Sequence, residues 1–190
     1  MRKHFPEEII SVDTYRADVA KAAVEQYGVD IINDISAGTL DNNMFETVAV
    51  LNIPYILTHI QGTPSNMQEN PVYDNLTEEV IAYFSSRIQR LRTLGVKDIV
   101  IDPGFGFGKT IAHNYEILRN LKKLEIFDLP ILVGQSRKSM IYNLLETDAQ
   151  HALNGTTVAN TLALTAGADI LRVHDVKEAV ECVKITNYET

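Results

Sequence analysis

Short apolar runs alternate with longer amphipathic segments along the whole sequence. Each short run has four or five residues and is rich in β-branched side chains, as expected of parallel strands buried on both faces. The predicted strands are 9–13, 29–33, 54–58, 98–101, 130–133 and 168–172. Apolar residues at three- and four-residue spacing indicate helices between them. The predicted helices are about 16–27, 41–51, 76–95, 114–124, 138–146, 150–166 and 175–187.

The β–α repeat predicts an α/β fold with a wholly parallel sheet and right-handed crossovers. Doubly wound sheets and (β/α)₈ barrels both fit this repeat. Two features favour a TIM-type (β/α)₈ barrel, of which about six β/α units are present. No glycine-rich dinucleotide motif opens the first helix, and polar residues recur at the carboxyl ends of the predicted strands, where barrel enzymes place their chemistry. Because no linker interrupts the pattern, residues 1–190 are interpreted as one domain.

The composition narrows the possible partners and locations. A formal charge of −8 argues against nucleic acid or an anionic membrane surface as the main partner. Cys182 is the only cysteine, so an intrachain disulfide is excluded and a reducing compartment is indicated. No apolar run approaches the roughly 18 residues of a membrane span. We therefore expect a cytoplasmic protein that acts on small molecules.

The segment IDPGFGFGK, residues 101–109, is the most specific candidate site. A predicted strand ends in the carboxylate of Asp102, and three alternating glycines allow the backbone to run close to a ligand. At a buried strand end, Asp102 can accept paired hydrogen bonds from a heterocycle edge such as a 2-amino-4-oxopyrimidine. The alternative is a flexible glycine loop with a helix-capping aspartate. The length of the motif favours the ligand site.

Two basic segments follow predicted strands later in the chain. The sequence SRKS, residues 136–139, opens a helix, whose N-terminus favours anions. Arg172 and His174 lie two residues apart at the end of the last predicted strand, so both can face the same side. Arginine offers phosphate oxygens a bidentate fork, and histidine adds a further donor. Together these segments indicate an anion site.

Six segments, taken in order along the chain, resemble dihydropteroate synthase. They are ISVDT (10–14), IIND (31–34), HIQGTPSNMQENPVYDN (59–75), DPGFGFGK (102–109), LVGQSRKSM (132–140) and ILRVHDV (170–176). The resemblance implies a transferase of folate biosynthesis and a sulfonamide target. Its reaction would condense 6-hydroxymethyl-7,8-dihydropterin diphosphate with 4-aminobenzoate to give 7,8-dihydropteroate and pyrophosphate. The resemblance also implies Mg²⁺ as a cofactor and a homodimer.

The resemblance further assigns a role to each matching position. The residues implied to bind the pterin are Asp13, Asn33, Asp102 and Lys138. Those implied to bind the diphosphate are Arg172 and His174. The residues expected in the neighbourhood of the substrate are His59, Gln61, Gly104, Phe107 and Ser136. Asp102, Lys138, Arg172 and His174 are the expected catalytic residues, in a dissociative substitution that needs no side-chain nucleophile.

The sequence matches the family from its third strand onward, so we expect an N-terminally truncated chain. The first strand of the family carries an asparagine on the side of the metal and diphosphate, and a following loop forms the aminobenzoate pocket. Neither pattern occurs in this sequence, so no metal ligand is expected within it. We expect the 190-residue chain alone to be essentially inactive and prone to associate through open strand edges.

Two other functions fit parts of the pattern. A pterin-binding methyltransferase on the same barrel would need the Asp and Asn pterin ligands but no diphosphate cluster, and Lys138, Arg172 and His174 argue against it. A non-catalytic pterin-binding barrel fragment would keep the ligands without turnover. A crystal soaked with a pterin diphosphate, with the ligand located at the strand ends, is the most informative observation for choosing among these possibilities.

Overall fold

The computed structural model describes residues 2–188, which alternate strand and helix throughout. The strands are β1 (Ser11–Asp13), β2 (Ile31–Asp34), β3 (Tyr55–Thr58), β4 (Ile99–Asp102), β5 (Leu132–Val133) and β6 (Ile170–Leu171). The α-helices are α1 (Ala17–Tyr27), α2 (Met44–Leu51), α3 (Leu76–Thr93), α4 (Ile111–Arg119), α5 (Ser139–Tyr142), α6 (Leu153–Thr165) and α7 (Val176–Thr186). A 3₁₀ helix, Leu121–Phe127, follows α4.

All strand pairs among the described residues are parallel, and the strands lie side by side in sequence order. Strands β1 to β4 form one ladder and β5 pairs with β6. An isolated bridge between Ile101 and Ile131 joins the two ladders. Doubly wound sheets reverse their strand order at a switch point. Since this order does not reverse, the chain is wound in one direction, as in a barrel.

The sheet is strongly curved. The side chain of Arg172, just after β6, donates a hydrogen bond of 2.9 Å to Asn33 in β2. In a flat sheet these strands would be four spacings apart, about 19 Å, which is farther than an arginine side chain reaches. The curvature therefore brings the carboxyl ends of β2, β4 and β6 to one mouth.

Helix α3 shows how local sequence signals set an element that supports this mouth. Its N-cap residue Asn75 accepts a hydrogen bond from the backbone N–H of Glu78 at 3.3 Å, as predicted from the sequence. Gly95, at φ 89°, ends the helix as expected. The face that packs on the strands is made of Val80, Phe84, Ile88 and Leu91. Replacing a fully buried side chain such as Phe84 with alanine would cost about 3–5 kcal/mol.

Two predicted helices depart most from the limits in the structure. The helix predicted at 114–124 begins at Ile111, because Thr110 accepts a hydrogen bond from His113 N–H and His113 closes a capping box. It ends at Arg119 and continues as the 3₁₀ helix. The helix predicted at 138–146 is α5, which ends at Tyr142. A chain reversal follows, with Glu146 at φ 52°.

The outermost strands of the described residues are more exposed than the central ones. Strand β3 is buried at all four positions, whereas two of the three residues of β1 are exposed. Ile9 beside β1 is 76% exposed and Ile170 in β6 is 40% exposed. Apolar strand edges of this kind favour association with another chain. This agrees with the association expected from the sequence, which stays a prediction. Within residues 2–188, no helix has the length and apolar character needed to cross a membrane.

Candidate functional site

The glycine-rich loop after β4 forms the floor of the mouth. Asp102 is 1% exposed, and its Oδ1 accepts a hydrogen bond of 2.8 Å from the N–H of Gly104. Gly104, Gly106 and Gly108 all have positive φ angles, between 63° and 82°. A Cβ atom on Gly104 would lie 1.9 Å from the carbonyl oxygen of His59, so any side chain there would clash with the end of β3. The loop therefore presents one fixed carboxylate against a closely packed backbone.

Asp13 and Asn33 lie beside this carboxylate at the ends of β1 and β2. The Nδ2 of Asn33 donates to Asp13 at 2.9 Å, and its Oδ1 accepts from Nη1 of Arg172 at 2.9 Å. Burial raises the pKa of Asp13 above its ordinary value, although the hydrogen bond from Asn33 and the charge of Arg172 act in the opposite direction. The three oxygen-bearing residues predicted to bind the pterin are thus brought together at one mouth.

Arg172 crosses the mouth and holds two of these residues. Its Nη2 donates to Oδ2 of Asp102 at 2.8 Å while its Nη1 donates to Asn33. The side chain is 39% exposed, whereas the carboxylate it pairs with is almost fully buried. Gly134 leaves room for the guanidinium, since a Cβ there would lie 2.7 Å from Nη2. The residue predicted to bind diphosphate is therefore paired here with the predicted pterin residues.

Lys138 reaches the same loop from the start of α5. Its Nζ donates to the carbonyl oxygen of Phe105 and lies 4.6 Å from the centre of the Phe107 ring. Burial lowers the pKa of Lys138 to about 8, although the attraction of Asp102 opposes this shift. Lys138 thus supplies a cation, and Phe107 an aromatic face, on one side of Asp102.

Ser136 and His174 form a second pair at the mouth. The Ser136 hydroxyl lies 2.9 Å from Nδ1 of His174, and Ser136 Oγ also accepts from the backbone N–H of His174 at 3.3 Å. These contacts fix the imidazole beside the start of α5. Ser136, Lys138, Arg172 and His174 therefore lie on the β5–β6 side of the mouth, as their positions after these strands predicted.

Arg137, between Ser136 and Lys138, has a structural role. It pairs with both carboxylate oxygens of Asp175, each at 2.8 Å, and donates to the carbonyl oxygens of Ala149 and Gln150. Its own φ is 53°. The side chain thereby ties the loop after β5 to the segments before α6 and α7. This residue of the basic motif points away from the ligand chemistry.

The segment after β3 covers the glycine loop. The Gln61 side chain donates to the carbonyl oxygen of Val72 at 2.8 Å. The Tyr73 hydroxyl donates to the carbonyl oxygen of Gly108 at 2.7 Å, and Gln68 donates to that of Gly106. Gln61 therefore shapes this covering segment, residues 61–75, with its side chain turned to the segment itself.

Two buried residues next to the strand ends were given no role from the sequence. Asp34 accepts four hydrogen bonds, from the N–H and hydroxyl of Ser36, the N–H of Gly38 and the hydroxyl of Tyr55. It organises the loop after β2. Lys109 is 3% exposed and contacts the ring of His59. Its place at the end of DPGFGFGK was its only signal in the sequence. The residue type argued against burial, because lysine is rarely buried without a partner.

The donor set for a metal ion is incomplete in the part of the chain that the structure describes. Residues 2–188 hold no group of three or more His, Cys, Asp or Glu side chains that could bind a metal. Mg²⁺ commonly binds through one or two carboxylates together with substrate phosphates and waters, so the cofactor expected from the resemblance stays a prediction.

Fold and site together define a parallel β/α barrel protein whose strand ends bring carboxylates and an amide together at one mouth. The chain belongs to the family described as "Pterin binding enzyme", whose model matches residues 1–174. The family resemblance drawn from the motifs is thereby confirmed.

The curated relatives of this chain include dihydropteroate synthases. The enzyme of Escherichia coli strain K12 is 42% identical over 178 residues, covering 93% of this chain and 62% of the relative. The enzyme of Synechocystis is 40% identical over 181 residues, again covering 62% of the relative. The chain therefore spans less than two thirds of the length of these curated relatives.

Solved structures confirm the TIM-type barrel class. The Yersinia pestis dihydropteroate synthase in a sulfonamide drug complex superposes with a TM-score of 0.90 at 41% identity, over 95% of this chain and 66% of that one. The Clostridium difficile enzyme, crystallised with pteroic acid, gives a TM-score of 0.90 at 35% identity, over 98% of this chain and 69% of that one.

Proposed function

We propose that this chain carries the pterin and diphosphate sites of a dihydropteroate synthase. The substrates would be 6-hydroxymethyl-7,8-dihydropterin diphosphate and 4-aminobenzoate, and the products 7,8-dihydropteroate and pyrophosphate. The observation that carries the proposal is the convergence of Asp102 and Asn33 with Arg172 at one mouth. Buried oxygen acceptors suit the N–H edge of a pterin, and the adjacent cation suits its diphosphate.

Arg172 would act on both parts of this substrate. The guanidinium and the N–H edge of a pterin are both donor groups, so they compete for the same oxygen atoms of Asp102 and Asn33. A bound pterin would displace Arg172 from these residues. The half-exposed guanidinium would then be free to pair with diphosphate oxygens, beside His174 and Lys138.

The proposed reaction needs no covalent enzyme intermediate. The bond between the pterin methylene carbon and the diphosphate oxygen breaks, and its electron pair leaves with the diphosphate. The amine nitrogen of 4-aminobenzoate forms the new bond to carbon and loses a proton. Arg172, His174 and Lys138 stabilise the charge that develops on the leaving group, and the carboxylates of Asp102 and Asp13 lie near the positive charge that develops on the pterin.

Several properties of the proposed protein rest on the resemblance alone. Mg²⁺ dependence, assembly as a homodimer and a cytoplasmic location are part of the proposal. So is the expectation that these 190 residues alone turn over little substrate. The relatives named above support the reaction class, and the sulfonamide and pteroic acid complexes of the solved enzymes support a small-molecule site.

Calorimetry on the 190-residue chain tests the proposal. We expect 6-hydroxymethyl-7,8-dihydropterin diphosphate to bind more tightly than the same pterin without its diphosphate, and guanosine diphosphate to bind far more weakly than either. Pyrophosphate release after addition of 4-aminobenzoate is measured in parallel. Absence of binding by both pterins would contradict the proposal, and binding of the bare pterin alone would favour a site without diphosphate chemistry.

A further inference from the structure

The buried ammonium of Lys109 holds three groups at the junction of β3 and the glycine loop. Its Nζ lies 2.8 Å from Nδ1 of His59 and 3.1 Å from the carbonyl oxygens of Gly104 and Phe107. An ammonium has three donors, and each of these groups can accept one. Within residues 2–188, no carboxylate oxygen lies within ion-pair distance of this nitrogen. The polar end of Lys109 is therefore used entirely on the loop and on His59.

Gly104 links this contact to the Asp102 carboxylate. The carbonyl oxygen of Gly104 accepts from Lys109, while its N–H donates to Oδ1 of Asp102 at 2.8 Å. The same residue packs against the carbonyl oxygen of His59 so closely that no side chain fits. The two contacts are made by the two peptide groups on either side of the Gly104 Cα. A shift of Gly104 would therefore disturb the orientation of the Asp102 carboxylate.

The contact also decides which nitrogen of His59 carries the proton. Burial, followed by the nearby Lys109 cation, lowers the pKa of His59 well below its ordinary value, so the ring is neutral near pH 7. Because a lysine ammonium donates only, Nδ1 of His59 must accept and Nε2 must hold the proton. Burial lowers the pKa of Lys109 to about 7, while the Asp102 carboxylate opposes the shift and the Lys138 cation adds to it.

We propose that Lys109 is a positioning residue for the pterin site: by tying His59 to Gly104 and Phe107, it fixes the Asp102 carboxylate that the pterin would bind. This inference rests on the proposed function and deepens it. Lys109 is 3% exposed, and the three polar contacts of its Nζ are with His59 and the glycine loop. Its effect on ligand binding passes through Gly104.

Lys109→Met tests the proposal, since methionine keeps the apolar stem and removes the three donors. We expect the affinity for 6-hydroxymethylpterin to fall on the order of tenfold, as for loss of one well-placed charged hydrogen bond. Lys122→Met removes an exposed lysine and should leave the affinity unchanged. Ile88→Ala, in the buried face of α3, gives a destabilised comparison. An affinity loss that appears equally in Ile88→Ala would overturn the proposal.

The His59 ring gives a readout that does not depend on ligand. The chain has five histidines, so ring ¹⁵N signals can be assigned from a His59→Gln variant. At pH 6 we expect an unprotonated Nδ1 in the wild type and a mixture of tautomers in Lys109→Met. A protonated Nδ1 in the wild type would contradict the proposal without any Lys109 variant, including the case in which that variant fails to fold.

The two measurements separate the inference from the proposed function. A wild type that shows the expected His59 tautomer but binds no pterin contradicts the proposed function, and with it the role of Lys109 in the pterin site. A wild type that binds pterin while Lys109→Met keeps full affinity contradicts the positioning role alone.

Discussion

Asp102 and Arg172 face each other across the mouth but are held very differently. The Asp102 carboxylate is 1% exposed and fixed by Gly104, whereas the Arg172 side chain is 39% exposed and held by its contacts with Asp102 and Asn33. The β4 side is therefore pre-organised for a ligand, and the β6 side is adjustable. Under the proposed function, the ring of a pterin diphosphate would meet the rigid β4 side and its anion would meet the adjustable β6 side.

Removing the charge on the rigid side should have the largest effect. Asp102→Asn replaces a buried acceptor with an amide that brings its own donors, so we expect pterin binding to weaken by on the order of 2–4 kcal/mol. Asp98→Asn is the matched control, because Asp98 precedes the same strand at its opposite end and is exposed. Calorimetry with 6-hydroxymethylpterin compares the two. Equal affinities would mean that the pterin does not bind at Asp102.

The adjustable side should discriminate between ligands. Arg172→Ala removes both the diphosphate partner and the competitor for Asp102. We therefore expect the diphosphate ester to lose about 1.5–3 kcal/mol, while the bare pterin keeps or gains affinity. His174→Ala should weaken the ester alone, because His174 pairs with Ser136 and does not compete for Asp102. Equal losses for both ligands in either variant would show that these residues support the fold.

Neighbouring residues of the SRKS motif should separate stability from binding. Arg137→Ala breaks the bidentate pair with Asp175 and removes the donor to two carbonyl oxygens, so we expect the free energy of unfolding to fall. Pterin affinity should be unchanged. Lys138→Met should show the reverse pattern, with weaker ligand binding and no loss of unfolding free energy. The same pattern in both variants would contradict the roles assigned to them.

Protonation of Lys138 should produce a smaller, pH-dependent effect. Burial lowers the pKa of Lys138 to about 8, so its cation is lost as the pH rises through 8. Affinity for the diphosphate ester should decline over that range in the wild type and less in Lys138→Met. The contribution of Lys138 to the free energy of unfolding should change in the opposite direction. Between pH 8 and 10.5 the unfolded chain binds more protons, so this group makes the fold more stable as the pH rises. The same dependence of affinity on pH in the wild type and in Lys138→Met would contradict the assignment of this effect to Lys138.

Elements fixed by local signals could be predicted from the sequence, and contacts set by the curved sheet could not. Asn75 and Gly95 delimit α3 through neighbouring backbone groups. The capping box at Thr110 was missed, because histidine takes the place usually held by Glu or Gln. The 3₁₀ helix after α4 likewise gave no separate periodic signal.

The site shows the same difference between positions that local motifs predict and contacts that depend on the curvature of the sheet. Motif positions placed Asp102, Asn33 and Lys138 at strand ends, where the structure brings them together. The pairing of Arg172 with Asp102 joins residues 70 positions apart and depends on how far the sheet curls. Burial of Lys109 depends on His59, which approaches only because Gly104 lacks a side chain. Neither contact has a periodic or compositional signature.

A crystal structure of this chain with 6-hydroxymethyl-7,8-dihydropterin diphosphate tests the central claim most directly. We expect the pterin ring against Asp102 and Asn33, with the guanidinium of Arg172 released from both and paired with the diphosphate. The diphosphate should also lie beside His174. A ligand bound elsewhere, or a ring at the mouth with Arg172 still paired to Asp102, would contradict it.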